Sequence, residues 1–138
     1  IKMVSGGEAS AIQGHWNGKV KPNLQAVGNA LFVKYFTANP GDQALFKSFA
    51  GVGVGDLPSN AAFNKQTLAV MNYMDKVVAG MGSNAAQLMK DQVAPHTARG
   101  ISVDQIKVSS CDSFYMGSNC VYAYYHSAVK SCRKSLCL

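Results

Sequence analysis

DQVAPHTARGIS, residues 91–102, decides how the rest of the chain is read. It reads as the end of an amphipathic helix that carries one imidazole, His96, and stops at Gly100. A histidine in a last helical turn can lie against an apolar pocket, with Arg99 close by to meet a negative group. A single histidine at such a place is more often a satisfied core or surface residue than a ligand. What separates the two readings lies upstream.

Going back along the chain, a short helix over about 84–98 leads into this stretch, with Pro95 inside it. Proline cannot donate to the carbonyl of residue 91, so the helix should break or bend just before His96. Pro58 and Ser59 open a longer, more regular helix to about Gly80, with Phe63, Val70, Met74 and Val77 on its apolar face. Gln66 sits on that face, between Phe63 and Val70. An amide buried there without a partner costs about 1–3 kcal/mol, so it either finds one or reaches water.

Before it, residues 41–57 hold Phe46 and Phe49 one helical turn apart, followed by Gly51-Val52-Gly53-Val54-Gly55. No GK[ST] follows the glycines and no strand precedes them, so the stretch reads as a connection and not as a phosphate loop. Residues 23–38 carry a helical stripe of Leu24, Val27, Leu31, Phe32, Tyr35 and Phe36, ended by Asn39-Pro40-Gly41. Gly28 lies on the same side, where a missing side chain lets another helix approach, and Asn23 is a candidate cap. Ser5–Lys21 reads as a first helix, with Ala9, Ile12, Trp16 and Val20 on one side. Downstream of Gly100, shortened helices are expected at about 103–116 and 120–136, with Met116-Gly117-Ser118-Asn119 as the turn between them.

Composition narrows the function classes. The 138 residues suit one domain, 1–138, with a sizeable core. No apolar run is long enough to span a bilayer and no stretch reads as a signal peptide, so no membrane partner is expected. The net charge of +6, 13 Lys+Arg against 7 Asp+Glu, is spread singly apart from Lys130, Arg133 and Lys134. That distribution suits solubility and small anions and argues against nucleic acid. Cys111, Cys120, Cys132 and Cys137 fall in the last 28 residues without a CxxC pair or a zinc spacing, and no disulfide is expected to be essential for folding. No run alternates as a half-buried strand would. The chain reads as all-α, with helices packed at steep angles.

In that register the chain resembles the globin family. Phe46, six residues beyond Pro40, matches the family's haem-packing phenylalanine. Gln66, twenty further on, and Val70 match the distal residue and the apolar residue four after it. His96, thirty beyond Gln66, matches the proximal histidine; Gly28, Phe32 and Trp16 match the helix-crossing glycine, a pocket residue and the first-helix tryptophan. FKSFAG, AAFNKQTLAV and PHTARGIS are similar to the corresponding stretches of invertebrate haemoglobins of midge-larva, mollusc or worm type.

The resemblance implies a globin fold, with shortened last two helices, around haem b. It makes His96 the iron ligand and Gln66 the distal hydrogen-bond donor, with Phe46 as a wedge on haem and Val70 and Phe32 setting the distal space. Phe32, Phe46, Val70, Val93 and Ile101 would line the crevice, and Arg99 would meet a propionate. The function it implies is reversible O2 binding for transport or storage, without enzymatic turnover, with CO and NO as further ligands. The rivals are a haem peroxidase or NO dioxygenase, which gain from a distal proton shuttle that Gln66 does not provide. A sulfide-binding haemoglobin is another, for which Val70 stands where a second aromatic is expected. A helical bundle without haem is the remaining alternative. The resemblance leaves open a monomer or a homo-oligomer, and body fluid, if the chain is midge-like, or cytoplasm.

Overall fold

The structure, a computed structural model, describes residues 5–101. The helices expected at 103–116 and 120–136, the four cysteines and His126 lie outside the described residues. The described part is helical and contains no strand.

The first helix, α1 (Gly6–His15), starts on a reciprocal cap that the order Ser5-Gly6-Gly7-Glu8 encodes. The Glu8 amide donates to Ser5 Oγ at 3.3 Å, and the Ser5 amide donates to Glu8 Oε2 at 2.8 Å. The helix expected to continue to Lys21 instead widens into a π-turn at Trp16–Val20 and tightens into a 3₁₀ turn at Lys21–Asn23. Pro22 has no N–H to return to the carbonyl of Gly18, and the glycines at 14 and 18 resist deformation little, so the regular ladder gives way here. Ala9, Ile12 and Trp16 are buried as their spacing requires, with Val20 packed beside them.

Helix α2 (Leu24–Ala38) follows, and its entry differs from expectation in one detail: Asn23 makes no side-chain capping bond. After 3₁₀ turns at Pro40–Leu45 and Val54–Ser59 comes α3 (Ala61–Ala79). Its cap is Asn60, whose Oδ1 accepts from the Phe63 amide at 3.0 Å; Pro58 and Ser59, expected to open the helix, belong to the turn before it. Helices α4 (Ala85–Asp91) and α5 (Val93–Thr97) replace the single helix of 84–98, and the break falls at Gln92. That is the interruption Pro95 demands, because the Asp91 carbonyl cannot receive a bond from it.

α2 and α3 cross at Gly28. A Cβ on Gly28 would lie 2.7 Å from Met71 Cγ and 3.3 Å from the Thr67 carbonyl oxygen, so only glycine permits this approach. Two apolar clusters flank the crossing. One joins Ala9, Ile12 and Trp16 to Met71, Val77, Val78 and Met89. The other is aromatic, built from Tyr35, Phe36, Phe49 and Phe63 around Leu57.

Between Phe63 in one cluster and Met71 in the other sits Thr67, fully buried, one helical turn from each. Thr67 Oγ1 accepts from Gln25 Nε2 at 2.8 Å and lies 2.6 Å from Asn29 Oδ1, to which it donates. Asn29 Nδ2 in turn donates to Asn64 Oδ1 at 2.7 Å. A satisfied polar chain at a helix crossing fixes the rotation of one helix against the other, because any other register leaves buried donors without partners.

Trp16 ties the first segment to α3. Its indole N–H donates to Asp75 Oδ1 at 2.9 Å, and Lys21 Nζ meets Asp75 Oδ2 at 2.9 Å. Partial burial pushes the Asp75 carboxyl up, but the hydrogen bonds from Lys21 and Trp16, together with the lysine charge, outweigh it and hold the group below its usual value. A carboxyl lowered in the folded state lends stability above its unfolded value near 3.9, and that stability is lost as pH falls through the folded value. Lys21 is 52% exposed, so solvent screens the pair. Asp75→Asn should therefore cost only about 1 kcal/mol at pH 7. Urea unfolding at pH 7 and pH 3 checks it: the gap between variant and parent should narrow at the lower pH, which lies below the unfolded value, and an equal gap at both would show that the charge is irrelevant.

Candidate functional site

The aromatic cluster borders a cavity of about 570 Å³, within the 300–1,000 Å³ typical of small-molecule sites. Three segments supply its walls. From α2 come Phe32 and Tyr35; from the turn and loop after it come Asp42, Leu45, Phe46, Lys47, Ser48 and Phe49. From α3 come Ala62, Gln66 and Val70, a stripe of i, i+4, i+8 that faces one way by helical geometry. From α5 and the residues after it come His96, Arg99 and Ile101.

Of the residues singled out in the sequence, Phe32, Phe46, Gln66, Val70, His96, Arg99 and Ile101 thus border one space, although 69 positions separate the first from the last. Val93 is not among the lining residues; it opens α5, half-buried, with its carbonyl accepting from Thr97 Oγ1 at 3.1 Å. Tyr35, Asp42, Leu45, Lys47, Ser48, Phe49 and Ala62 line the cavity without having been singled out for it. Ala62 was legible as one turn before Gln66, and Phe49 as one turn after Phe46.

His96 is held from behind. Its Nδ1 lies 2.6 Å from the carbonyl oxygen of Gln92, the residue at which the helix breaks. A carbonyl only accepts, so Nδ1 carries the proton and Nε2 is the nitrogen left to act as donor of a lone pair. The regular helix ends at Thr97, three residues before the expected stop, and the chain turns out of helical geometry at Gly100, with φ +78°. The Ile101 amide donates to the His96 carbonyl at 3.1 Å and the Gly100 amide to the Thr97 carbonyl at 3.0 Å, a double closure that requires this left-handed glycine. The same closure swings Ile101 back onto the cavity.

On the other side Phe46 is wedged among rings. It stacks on Phe49 with centroids 5.2 Å apart and planes at 16°, and meets Phe36 and Phe32 edge-on at 5.5 and 6.3 Å. Phe49 leans on the fully buried Phe63, so the wall is one continuous aromatic surface. Charge collects at the rim: Lys47 and Arg99 are exposed, and the acid that lines the cavity with them, Asp42, accepts a hydrogen bond from the Tyr35 hydroxyl.

This donor set fits haem. One imidazole with its second nitrogen free, an apolar and aromatic wall, an amide on a different helix and cations at the edge are what a flat, apolar, iron-bearing ring with carboxylate tails requires. No group of three or more His, Cys, Asp or Glu side chains among the described residues could hold a bare metal ion instead. No described helix is long and apolar enough to cross a membrane.

Comparison with known proteins agrees with the fold. The botfly Gasterophilus intestinalis haemoglobin structure superposes with a TM-score of 0.71 over 94% of each chain, at 18% identity. The chain is 34% identical to extracellular globin-E1 of Artemia sp. over 82% of its own length, and 30% identical to the myoglobin of Scomber japonicus over 66%. It spans 61% and 62% of those two relatives. A family profile described as globin matches residues 29–130, a span that takes in all the walls of the cavity. The chain belongs to the globin family.

Proposed function

We propose that the chain, as one globin domain over residues 1–138, holds haem b in this cavity and binds O2 reversibly for transport or storage. The observation that carries the reading is His96, tied through Nδ1 to the Gln92 carbonyl, bordering the same cavity as Gln66 and Val70 of α3. When bound, haem iron supplies an exchangeable coordination position for a diatomic ligand. The residues do the rest. His96 Nε2 would ligate the iron, and the Gln92 carbonyl fixes the ring's tautomer and orientation. Phe46 and Phe32 pack on the ring system and keep water out. Gln66 donates from its amide to the incoming ligand, while Val70, one turn on, limits the space beside it. Arg99 and Lys47 stand at the rim to meet carboxylates, each exposed pair contributing about 0–1 kcal/mol.

A storage or transport role is favoured over peroxidase or dioxygenase turnover by Gln66 itself. Its amide neither gains nor loses a proton near neutrality, so it orients a ligand without shuttling protons to it. CO and NO are expected to bind at the same position.

Acid–acetone extraction tests the cofactor. The sequence contains no CxxCH attachment motif, so the pigment should leave the polypeptide completely and run as free protoporphyrin IX iron. Pigment retained on the chain would contradict the assignment of haem b.

A further inference from the structure

Apart from Thr67, the buried polar side chain among the described residues is Gln43, 5% exposed. It does not line the cavity, yet it touches the loop that does. Its Nε2 donates to the Phe49 carbonyl at 2.9 Å and to the Val52 carbonyl at 2.7 Å, with the Ala50 carbonyl at 3.5 Å. Its own carbonyl accepts from the Phe46 amide at 3.0 Å. One residue therefore grips the loop at its start, through the backbone, and at its far side, through both hydrogens of an amide.

That grip matters because the loop has little else in common with a regular element. Its backbone bonds are short turns, Phe49 N–H to Phe46 carbonyl at 3.0 Å and Val52 N–H to Phe49 carbonyl at 3.1 Å. Such turns, with no helix or sheet ladder, leave loop conformation to side chains. Immediately before Gln43, Asp42 is pinned to α2 by the Tyr35 hydroxyl. The 3₁₀ turn is thus fixed to the helix on one side and to the loop on the other. Phe46 and Phe49, stacked on each other, ride on the gripped segment and form part of the cavity wall.

We infer that Gln43 is a positioning residue: it sets the Phe46–Phe49 pair against the cavity and so governs how tightly the cofactor is retained. The inference rests on the haem reading above, and acts through Phe46, not through contact with the cofactor.

Two variants of the full chain, loaded with hemin, test it. Gln43→Met keeps the volume and removes both donors. Gln43→Glu keeps the shape but turns a carboxylate toward the Phe49 and Val52 carbonyls, until protonation gives back one O–H donor. Burial raises a carboxyl's pKa, which brings that protonation within a mild range. Three quantities are read against the parent at each pH: hemin transfer to an acceptor apoprotein, the Soret circular dichroism band, and amide exchange at residues 46–52.

Hemin should leave Gln43→Met about fivefold faster, the loss of roughly one net hydrogen bond. The Soret dichroism should change with it, because that band reports the placement of nearby aromatic rings. Gln43→Glu should exceed Gln43→Met at pH 7 and return toward the parent as pH is lowered to about 5, in the range to which burial carries a carboxyl. Faster amide exchange and a lower Tm with unchanged hemin release and Soret dichroism would overturn the positioning role and leave a purely structural one. A parent chain that takes up no hemin would overturn the haem reading itself, and this inference with it.

Discussion

Replacing His96 by glycine should empty the cavity of its cofactor or leave it weakly held, and added imidazole should partly restore the five-coordinate ferrous spectrum. The reason is local. His96 is the histidine among the described residues that borders the cavity, and its Nδ1 is already engaged by the Gln92 carbonyl. Glycine removes the donor without filling the space it leaves, so a free imidazole can take its place. Loss of an outer partner of a metal-bound histidine typically costs roughly 10–100-fold in affinity, and loss of the ligand itself should exceed that. The measurement is hemin affinity and the ferrous spectrum of the variant with and without imidazole. An unchanged spectrum in His96→Gly would mean that another residue ligates the iron. His15, exposed at the end of α1, and His126, outside the described residues, would then be the ones to replace.

The second large effect belongs to Gln66. If its amide donates to the ligand, Gln66→Leu removes a dipole that favours O2 more than CO, because O2 draws more charge onto itself when it binds. A hydrogen bond of about 1–1.5 kcal/mol corresponds to roughly a five- to tenfold change in dissociation rate. O2 should leave faster by that factor while CO release barely changes, and the ferric form should accumulate sooner. Stopped-flow replacement of O2 by CO, and of CO by NO, measures both rates. Equal acceleration of the two ligands would assign Gln66 a steric role. No acceleration of either would mean that the amide faces solvent. Gln66 is half-buried on the cavity stripe of α3, which leaves both its cavity-side contact and its reach to water available to that test.

Much of this site was legible because it is written in helical periods. Ala62, Gln66 and Val70 share one stripe, Phe32 and Phe36 another, and Pro95 dictates a break ahead of His96 wherever the helix packs. Gly28 announced a close crossing, and the contact with Met71 and Thr67 is that crossing. The family resemblance then put these stripes in one register, which periodicity by itself does not do.

What remained hidden depends on partners far away in sequence. Thr67 reads as a polar interruption of an apolar face; besides the Asn64 carbonyl on its own helix, its hydroxyl is met by Gln25 and Asn29, on a helix some forty positions earlier. Gln43 carries no periodic signal at all, and its partners are loop carbonyls that every residue possesses. Asn23 shows the opposite failure. It is a good capping residue by type, but its φ of −132° and ψ of +35° follow the 3₁₀ turn before it and no capping bond forms. In the first helix the buried face follows the apolar spacing, whereas the backbone departs from a regular helix, since a proline's missing N–H changes the ladder a turn earlier than the proline itself.

Haem held by His96 in this cavity underlies every role proposed for the residues that line it. One set of absorption spectra on the hemin-loaded chain, ferric, ferrous and ferrous with CO, tests that most directly. The prediction is stoichiometric uptake of one hemin, a five-coordinate ferrous spectrum on reduction, and a sharp, photoreversible shift with CO. A colourless protein that ignores added hemin, or a ferrous spectrum that CO does not change, would contradict it.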